Sequence, residues 1–217
     1  MSAHPDTWAV LPVKSFALAK SRLSPVLSPT ARAQVARQML LHVLGVLQRA
    51  ESIERVLVTT SCPQVAAVAG RHGASVTSEP PTEQLAVIVD HALAAVRARQ
   101  ALVLMADLPA LSVADVRDAL APLRRGRVVA VAPDRHQMGT NALALRPPGG
   151  MPSCFGHDDS FLRHVTAAGA LGVPAAVVRS VGLGLDLDTP EDLGALLQSH
   201  PEHALRAHAA SLLRRAR

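Results

Sequence analysis

Short, continuous apolar runs alternate with helix-period segments along almost the whole chain, and that alternation leaves few folds open. The runs cover residues 7–13, 55–60, 74–78, 101–106, 128–133, 142–146, 175–179 and 183–188. Several, such as Ala101-Leu102-Val103-Leu104-Met105-Ala106, are apolar at every position rather than at every second one. A strand of that kind is covered on both faces. Between the runs lie helix signals. Ser28-Pro29 reads as an N-cap with proline at the first helical position, opening a helix to about Arg49. Ser112-Val113-Ala114-Asp115 resembles a capping box with Asp in place of Glu and starts a helix to about Leu123. Thr189-Pro190-Glu191-Asp192 starts another. Segments 63–71, 83–99, 159–168 and a terminal 201–217 complete the set. The pattern predicts a single α/β domain over residues 1–217, with a mostly parallel mixed sheet and helices on both faces. The stretch from about 130 to 170 is less regular and reads as an inserted hairpin or excursion above the sheet, where substrate specificity often sits.

Composition narrows the partners. The chain has one Trp, three Phe and no Tyr, so its core is Ala, Val and Leu. Stacking platforms for single-stranded nucleic acid rely on aromatic faces, so nucleic acid is not an expected partner. The net charge of +5 favours anionic ligands. Part of the excess sits at the C-terminus, in Arg206, Arg214, Arg215 and Arg217, and reads as the basic end of the terminal helix. Cys62 and Cys154 give neither a metal-ligand spacing nor a disulfide framework, so a reduced, cytoplasmic protein is expected. No membrane span is expected either, because the longest apolar stretch is broken by Asp90 and His91.

The charged residues fall at strand ends. Lys14, Lys20 and Arg22 follow directly on the first run. Ligands of open α/β sheets bind just beyond the carboxyl ends of the strands, so three cations there point to an anion, phosphate above all, although a solvated basic loop has the same composition. Asp107 closes the run 101–106, and Asp186 and Asp188 stand two apart in the run 183–188, hence on one face if that run is a strand. Such hard oxygen donors suit Mg2+, which usually shares its shell with substrate phosphates. The competing reading makes Asp107 a turn residue and Asp188 part of a helix cap. Cations with a carboxylate–magnesium site fit nucleotidyl transfer. Thr140, after the turn residue Gly139, and Ser160, at a helix start, offer donors to an anion, though turn and cap chemistry explain both. His136, His157 and His164 are candidates for the pocket lining.

In order along the chain, LPVKSFALAKSRLSP, MADLPALS, PDRHQMGTNALALRPP, FGHDDSFLRH and LDLDTPEDL resemble the phospholactate guanylyltransferase family, from Trp8 to about Leu196. The resemblance implies a compact GT-A-like (Rossmann-like) nucleotidyltransferase fold. It implies transfer of GMP from GTP to a small phosphorylated acid (2-phospho-L-lactate, phosphoenolpyruvate or 3-phospho-D-glycerate) with release of pyrophosphate, in biosynthesis of the deazaflavin coenzyme F-420. By carry-over, Lys14, Lys20 and Arg22 contact the triphosphate and act with Asp107 in catalysis. Asp107, Asp186 and Asp188 bind Mg2+. Thr140, Gly156 and Ser160 clamp the acceptor's phosphate and carboxylate. A homodimer is compatible with the resemblance. The chain departs from the family pattern at Thr82-Glu83-Gln84-Leu85-Ala86, where members usually carry Gly-Leu-Asn, and has one residue more between Gly156 and Ser160. Two other readings stay open: a related nucleotidyltransferase using another nucleotide or a sugar- or polyol-phosphate acceptor, and a non-catalytic nucleotide-binding relative.

Overall fold

In the computed structural model, residues 6–124, 129–173 and 175–199 are described. Their strands are β1 (Thr7–Pro12), β2 (Arg55–Thr59), β3 (Ser75–Thr77), β4 (Gln100–Leu104), β5 (Val129–Pro133), β6 (Thr140–Leu145) and β7 (Ala176–Val177). They form one sheet in the order β3-β2-β1-β4-β6-β5-β7. All neighbours pair in parallel except β6, which runs antiparallel to both β4 and β5. The stretch after residue 128 therefore begins inside the sheet, as a hairpin turning through Asp134, whose carboxylate accepts from the Met138 and Gly139 amides. From β1 the chain winds one way to β2 and β3, and β4 returns on the other side of β1. That reversal opens a crevice at the carboxyl ends of β1 and β4, the usual ligand position in such sheets.

The helices are α1 (Pro29–Arg49), α2 (Pro63–Arg71), α3 (Leu85–Ala94), α4 (Val113–Arg124), α5 (Ser160–Ala170), α6 (Val181–Gly184) and α7 (Pro190–Ser199). Their starts follow local chemistry. Ser28 accepts from the Ala31 amide with Pro29 at the first position of α1. Ser112 and Asp115 cap each other's amides at the start of α4. One face of the sheet buries Leu11, Val58, Leu102 and Leu104 against α1, α2 and α4. The other buries Val10, Val103, Val131 and Leu143 against α3 and α5. Strands buried on both faces explain why their apolar runs are unbroken.

A third apolar cluster lies at the carboxyl end of the sheet. It packs Leu23 and Leu27, after β1, with Val35 and Met39 of α1 and with Leu185, Leu187 and Leu193. This cluster corrects one expectation. The run 183–188 is not a strand: Ser180 caps α6 by accepting from the Leu183 amide, and the chain then crosses the strand ends as an extended segment. Among the described residues, the stretch 185–188 makes one backbone bond to the sheet region, from Leu187 N to Asp107 O, too little for a ladder. The side-chain alternation survives, because Leu185 and Leu187 are buried while Asp186 and Asp188 face the opposite way. Burying each leucine is worth about 2 kcal/mol, and that burial aims the carboxylates. Close packing supports the turn: a Cβ at Gly182 would collide with Asp115 Oδ2 and stand 2.7 Å from the Ala110 carbonyl oxygen. The other boundaries moved by a few residues, the helix expected at 83–99 shortening to α3, and the expected terminal helix 201–217 lies outside the described residues.

Candidate active site

The loop after β1 folds as two short 3-10 turns, Phe16–Leu18 and Ser21–Leu23. Between them Lys20 takes a left-handed backbone conformation, φ 58°, uncommon for a residue with a Cβ and held here by its surroundings. The twist turns its side chain inward, leaving it only 7% exposed, and Nζ donates to Asp107 Oδ2 and Asp188 Oδ1, each at 2.7 Å. Burial pulls the ammonium's pKa down, but the charges of Asp107 and Asp188 outweigh burial and hold it above its ordinary value. Lys20 is thus the counter-ion that draws together the ends of β4 and of the 185–189 segment.

Around this pair a cleft of about 440 Å³ opens at the carboxyl ends of β1 and β4. Lys14 and Arg22 are exposed on its rim, and Leu85 and Ile88 of α3 form an apolar wall. Gln84, in the segment where the family pattern is altered, is the exposed N-cap of α3 and makes no side-chain capping bond. Asp186 stands beside the pair. Its Oδ1 accepts from Asn141 Nδ2 at 3.4 Å, and the same amide donates to Leu183 O at 2.9 Å. Burial, reinforced by the charge of Asp107, pushes the Asp186 carboxyl up to about 6.

These carboxylates bear on whether a divalent metal fits. Among the described residues, no three carboxylates, imidazoles or thiols converge into a ready-made metal cluster. One observation nevertheless leaves room for a cation beside the Lys20 ammonium, which already lies 2.7 Å from an oxygen of Asp107 and from one of Asp188. Asp107 Oδ1 is buried with no hydrogen-bond partner, an acceptor left over for another ligand. Carboxylate oxygens are the donors a hard cation takes, and Asp107 and Asp188, with Asp186 beside them, are the residues that would hold one.

The three residues expected to clamp an acceptor lie outside the cleft lining. Thr140 opens β6 and Ser160 opens α5, and both are buried. Asp159, not Ser160, is the N-cap of α5. Gly156 has φ +89°, and a Cβ there would stand 3.2 Å from the Cβ of Leu85, so it packs behind the cleft wall. Thr140 Oγ1 lies 2.9 Å from Nδ1 of His164, and the Cys154 amide donates to Nε2 of the same ring at 2.8 Å.

Two further residues support the site. Asn141 has no local signal that sets it apart from the rest of β6, yet its amide donates to Asp186. Asp192 was visible as a helix-start residue, and its carboxylate accepts from Asp188 N, Thr189 N and Thr189 Oγ1. Its other oxygen pairs with Arg135 at 2.5 Å, tying the hairpin to the Asp188 turn.

His164 has no exposed surface, and burial pushes its pKa down to about 4. An imidazole whose folded value lies below its free value of about 6.5 stabilises the fold fully above that pH, and the contribution fades as pH falls towards 4. Unfolding free energy is therefore expected to drop by about 2 kcal/mol more between pH 7.5 and pH 5 in the native chain than in H164N. Urea denaturation of both proteins at the two pH values measures this, and equal losses would contradict it.

The family model "Guanylyl transferase CofC like" matches residues 7–215. A phosphoenolpyruvate guanylyltransferase of Sphaerobacter thermophilus is 40% identical over 198 residues, covering 90% of this chain and 94% of that protein. A 2-phospho-L-lactate guanylyltransferase of Methanothermobacter thermautotrophicus is 35% identical over 213 residues, covering 97% and 91%. Among solved structures, a Desulfovibrio desulfuricans protein described as a nucleotide-diphospho-sugar transferase superposes with TM-score 0.80 at 16% identity, covering 97% of this chain and 98% of that one. The CTP complex of CMP:2-keto-3-deoxy-manno-octonic acid synthetase superposes with TM-score 0.64 at 16% identity, covering 90% and 98%. At that identity the structures speak for the fold alone, which is that of GT-A-like nucleotidyltransferases. The match along nearly the whole sequence, on a sheet whose crevice gathers Lys20, Asp107 and Asp188, places the chain in the CofC-like guanylyl transferase family of nucleotidyltransferase enzymes.

Proposed function

We propose that the chain transfers GMP from GTP to a phosphorylated three-carbon acid, in the making of the deazaflavin coenzyme that the family resemblance implies. The observation that carries this reading is the buried Lys20 bridge between Asp107 and Asp188 at the switch point of the sheet, within a family of guanylyl transferases. A phosphate oxygen of the acceptor attacks the α-phosphorus of GTP in line. The new P–O bond forms as the bond to the oxygen bridging the α- and β-phosphorus breaks, and pyrophosphate leaves with that electron pair. The attacking oxygen is already anionic, so no general base has to remove a proton from it.

Lys14 and Arg22, on the rim, are placed to neutralise the triphosphate. Lys20 keeps the carboxylates of Asp107 and Asp188 together against their repulsion. Asp107 and Asp188, with Asp186 beside them, would hold Mg2+. The metal would supply positive charge to the phosphoryl oxygens and fix their orientation. The apolar wall of Leu85 and Ile88 lowers the polarity on one side of the cleft, which strengthens these charge interactions.

A pyrophosphate-release assay tests the reading, crossing four nucleoside triphosphates with phosphoenolpyruvate, 2-phospho-L-lactate and 3-phospho-D-glycerate in the presence of Mg2+. Release is expected with GTP and only when an acid is present. Faster release with CTP or UTP than with GTP, or none with any acid, would overturn it.

A further inference from the structure

Thr140, Cys154 and His164 come from three segments: the start of β6, the loop before α5, and α5 itself. We propose that His164 is a positioning residue that sets Thr140 as a hydrogen-bond donor towards the acceptor, an inference that rests on the reading of Thr140 as an acceptor contact. The available protons fix the tautomer. A backbone N–H can only donate, so the Cys154 amide 2.8 Å from Nε2 requires a lone pair on that nitrogen. The neutral ring then carries its proton on Nδ1. That N–H points at Thr140 Oγ1, 2.9 Å away, and occupies an acceptor lone pair of the hydroxyl. The hydroxyl proton is released from the ring and can be given to an anion. In the opposite tautomer the hydroxyl would spend its proton on Nδ1 and turn only lone pairs outward, which repels a phosphate or carboxylate.

The surroundings hold the ring in this state. His164 is fully buried, and Phe155 meets its ring edge-on with centroids 4.8 Å apart. The loop that supplies the Cys154 amide is anchored to α3: Ser153 N donates to Asp90 and Ser153 Oγ donates to Ala86 O. α3 also carries Leu85 and Ile88 of the cleft wall. The imidazole thus joins two of the expected acceptor contacts, Thr140 and the loop that carries Gly156.

Two measurements test this. Long-range 1H–15N correlation on the uniformly labelled native protein reads the tautomer directly. A protonated Nδ1 and an unprotonated Nε2 are expected, and the reverse, or an imidazolium at pH 7, overturns the inference. Steady-state kinetics then compare variants, with phosphoenolpyruvate as acceptor. H164A is expected to raise the acceptor KM roughly tenfold with the GTP KM unchanged. The amide of H164N stands where Nδ1 stands and should restore most of the acceptor KM, whereas that of H164Q, standing where Nε2 stands, should not. Equal behaviour of H164N and H164Q, or parallel rises in both KM values, overturns the inference. T140V separates the two layers. If T140V raises the acceptor KM and H164A does not, the positioning role falls and the acceptor reading stands. If T140V leaves the acceptor KM unchanged, the acceptor reading falls and the inference with it.

Discussion

Asp107→Asn is expected to slow turnover on the order of a thousandfold while the chain remains folded. The side chains are nearly isosteric, and the backbone bond that ties the 185–189 segment to this position uses the Asp107 carbonyl, not its side chain. The fold should therefore survive. What changes is charge. Asp107 Oδ2 is one of the two acceptors that hold Lys20, and Oδ1 is the buried, unpartnered acceptor left for a cation. An amide can keep the hydrogen bond from Lys20 through its oxygen. It then presents an NH2 group where a lone pair was available, which a metal ion or an ammonium cannot use. The substitution also removes one of the charges that raises the Asp186 carboxyl. The measurements are kcat for pyrophosphate release and the thermal midpoint of the same preparation. Turnover within tenfold of the native chain, at an unchanged midpoint, would remove Asp107 from the catalytic set.

Asp192→Ala is expected to cost about 3 kcal/mol of stability and to lower kcat further than the lost stability explains. Asp192 is only 6% exposed, and its carboxylate takes bonds from two amides and a hydroxyl as well as from Arg135. Alanine leaves those donors without their acceptor and strips Arg135 of its counter-ion; of the reciprocal cap of α7 only the bond from its own amide to Thr189 Oγ1 remains. The catalytic consequence follows from the Asp188 amide: with that N–H released, the backbone that aims Asp188 at Lys20 is less constrained. D192N retains an acceptor oxygen but no charge, so it should fall between the two. Urea denaturation and kcat, measured on the three proteins, check the ordering. A loss below about 1 kcal/mol for D192A would mean that the Arg135 bridge and the cap contribute little.

How much of this was legible in the chain depends on the range of each interaction. Unbroken apolar runs announced strands covered on both faces, and seven of them lie in one sheet. The cap pairs Ser112–Asp115 and Thr189–Asp192 announced helix starts, because each is made by residues three apart. The alternation of Leu185, Asp186, Leu187 and Asp188 announced a segment with an apolar and an acidic face. These signals are local, and short-range sterics and hydrogen bonding decide them. The family was legible too, since its motifs run in order along nearly the whole chain.

Only the tertiary structure decided the rest. Nothing in the run 140–145 says that it lies antiparallel between β4 and β5, and nothing in 183–188 says that it leaves the sheet to cap the third apolar cluster. Lys20 was read as one of three equivalent cations, yet it is the buried one, bound to carboxylates 87 and 168 residues away. Asn141, Asp192 and His164 gain their roles in the same manner, from partners far along the chain or in another element. Periodicity and capping set which face a side chain takes within its own element. Which charges then meet, and which hydroxyl is left with a proton to give, follows from burying the apolar faces together, and that free energy belongs to the whole assembly of elements.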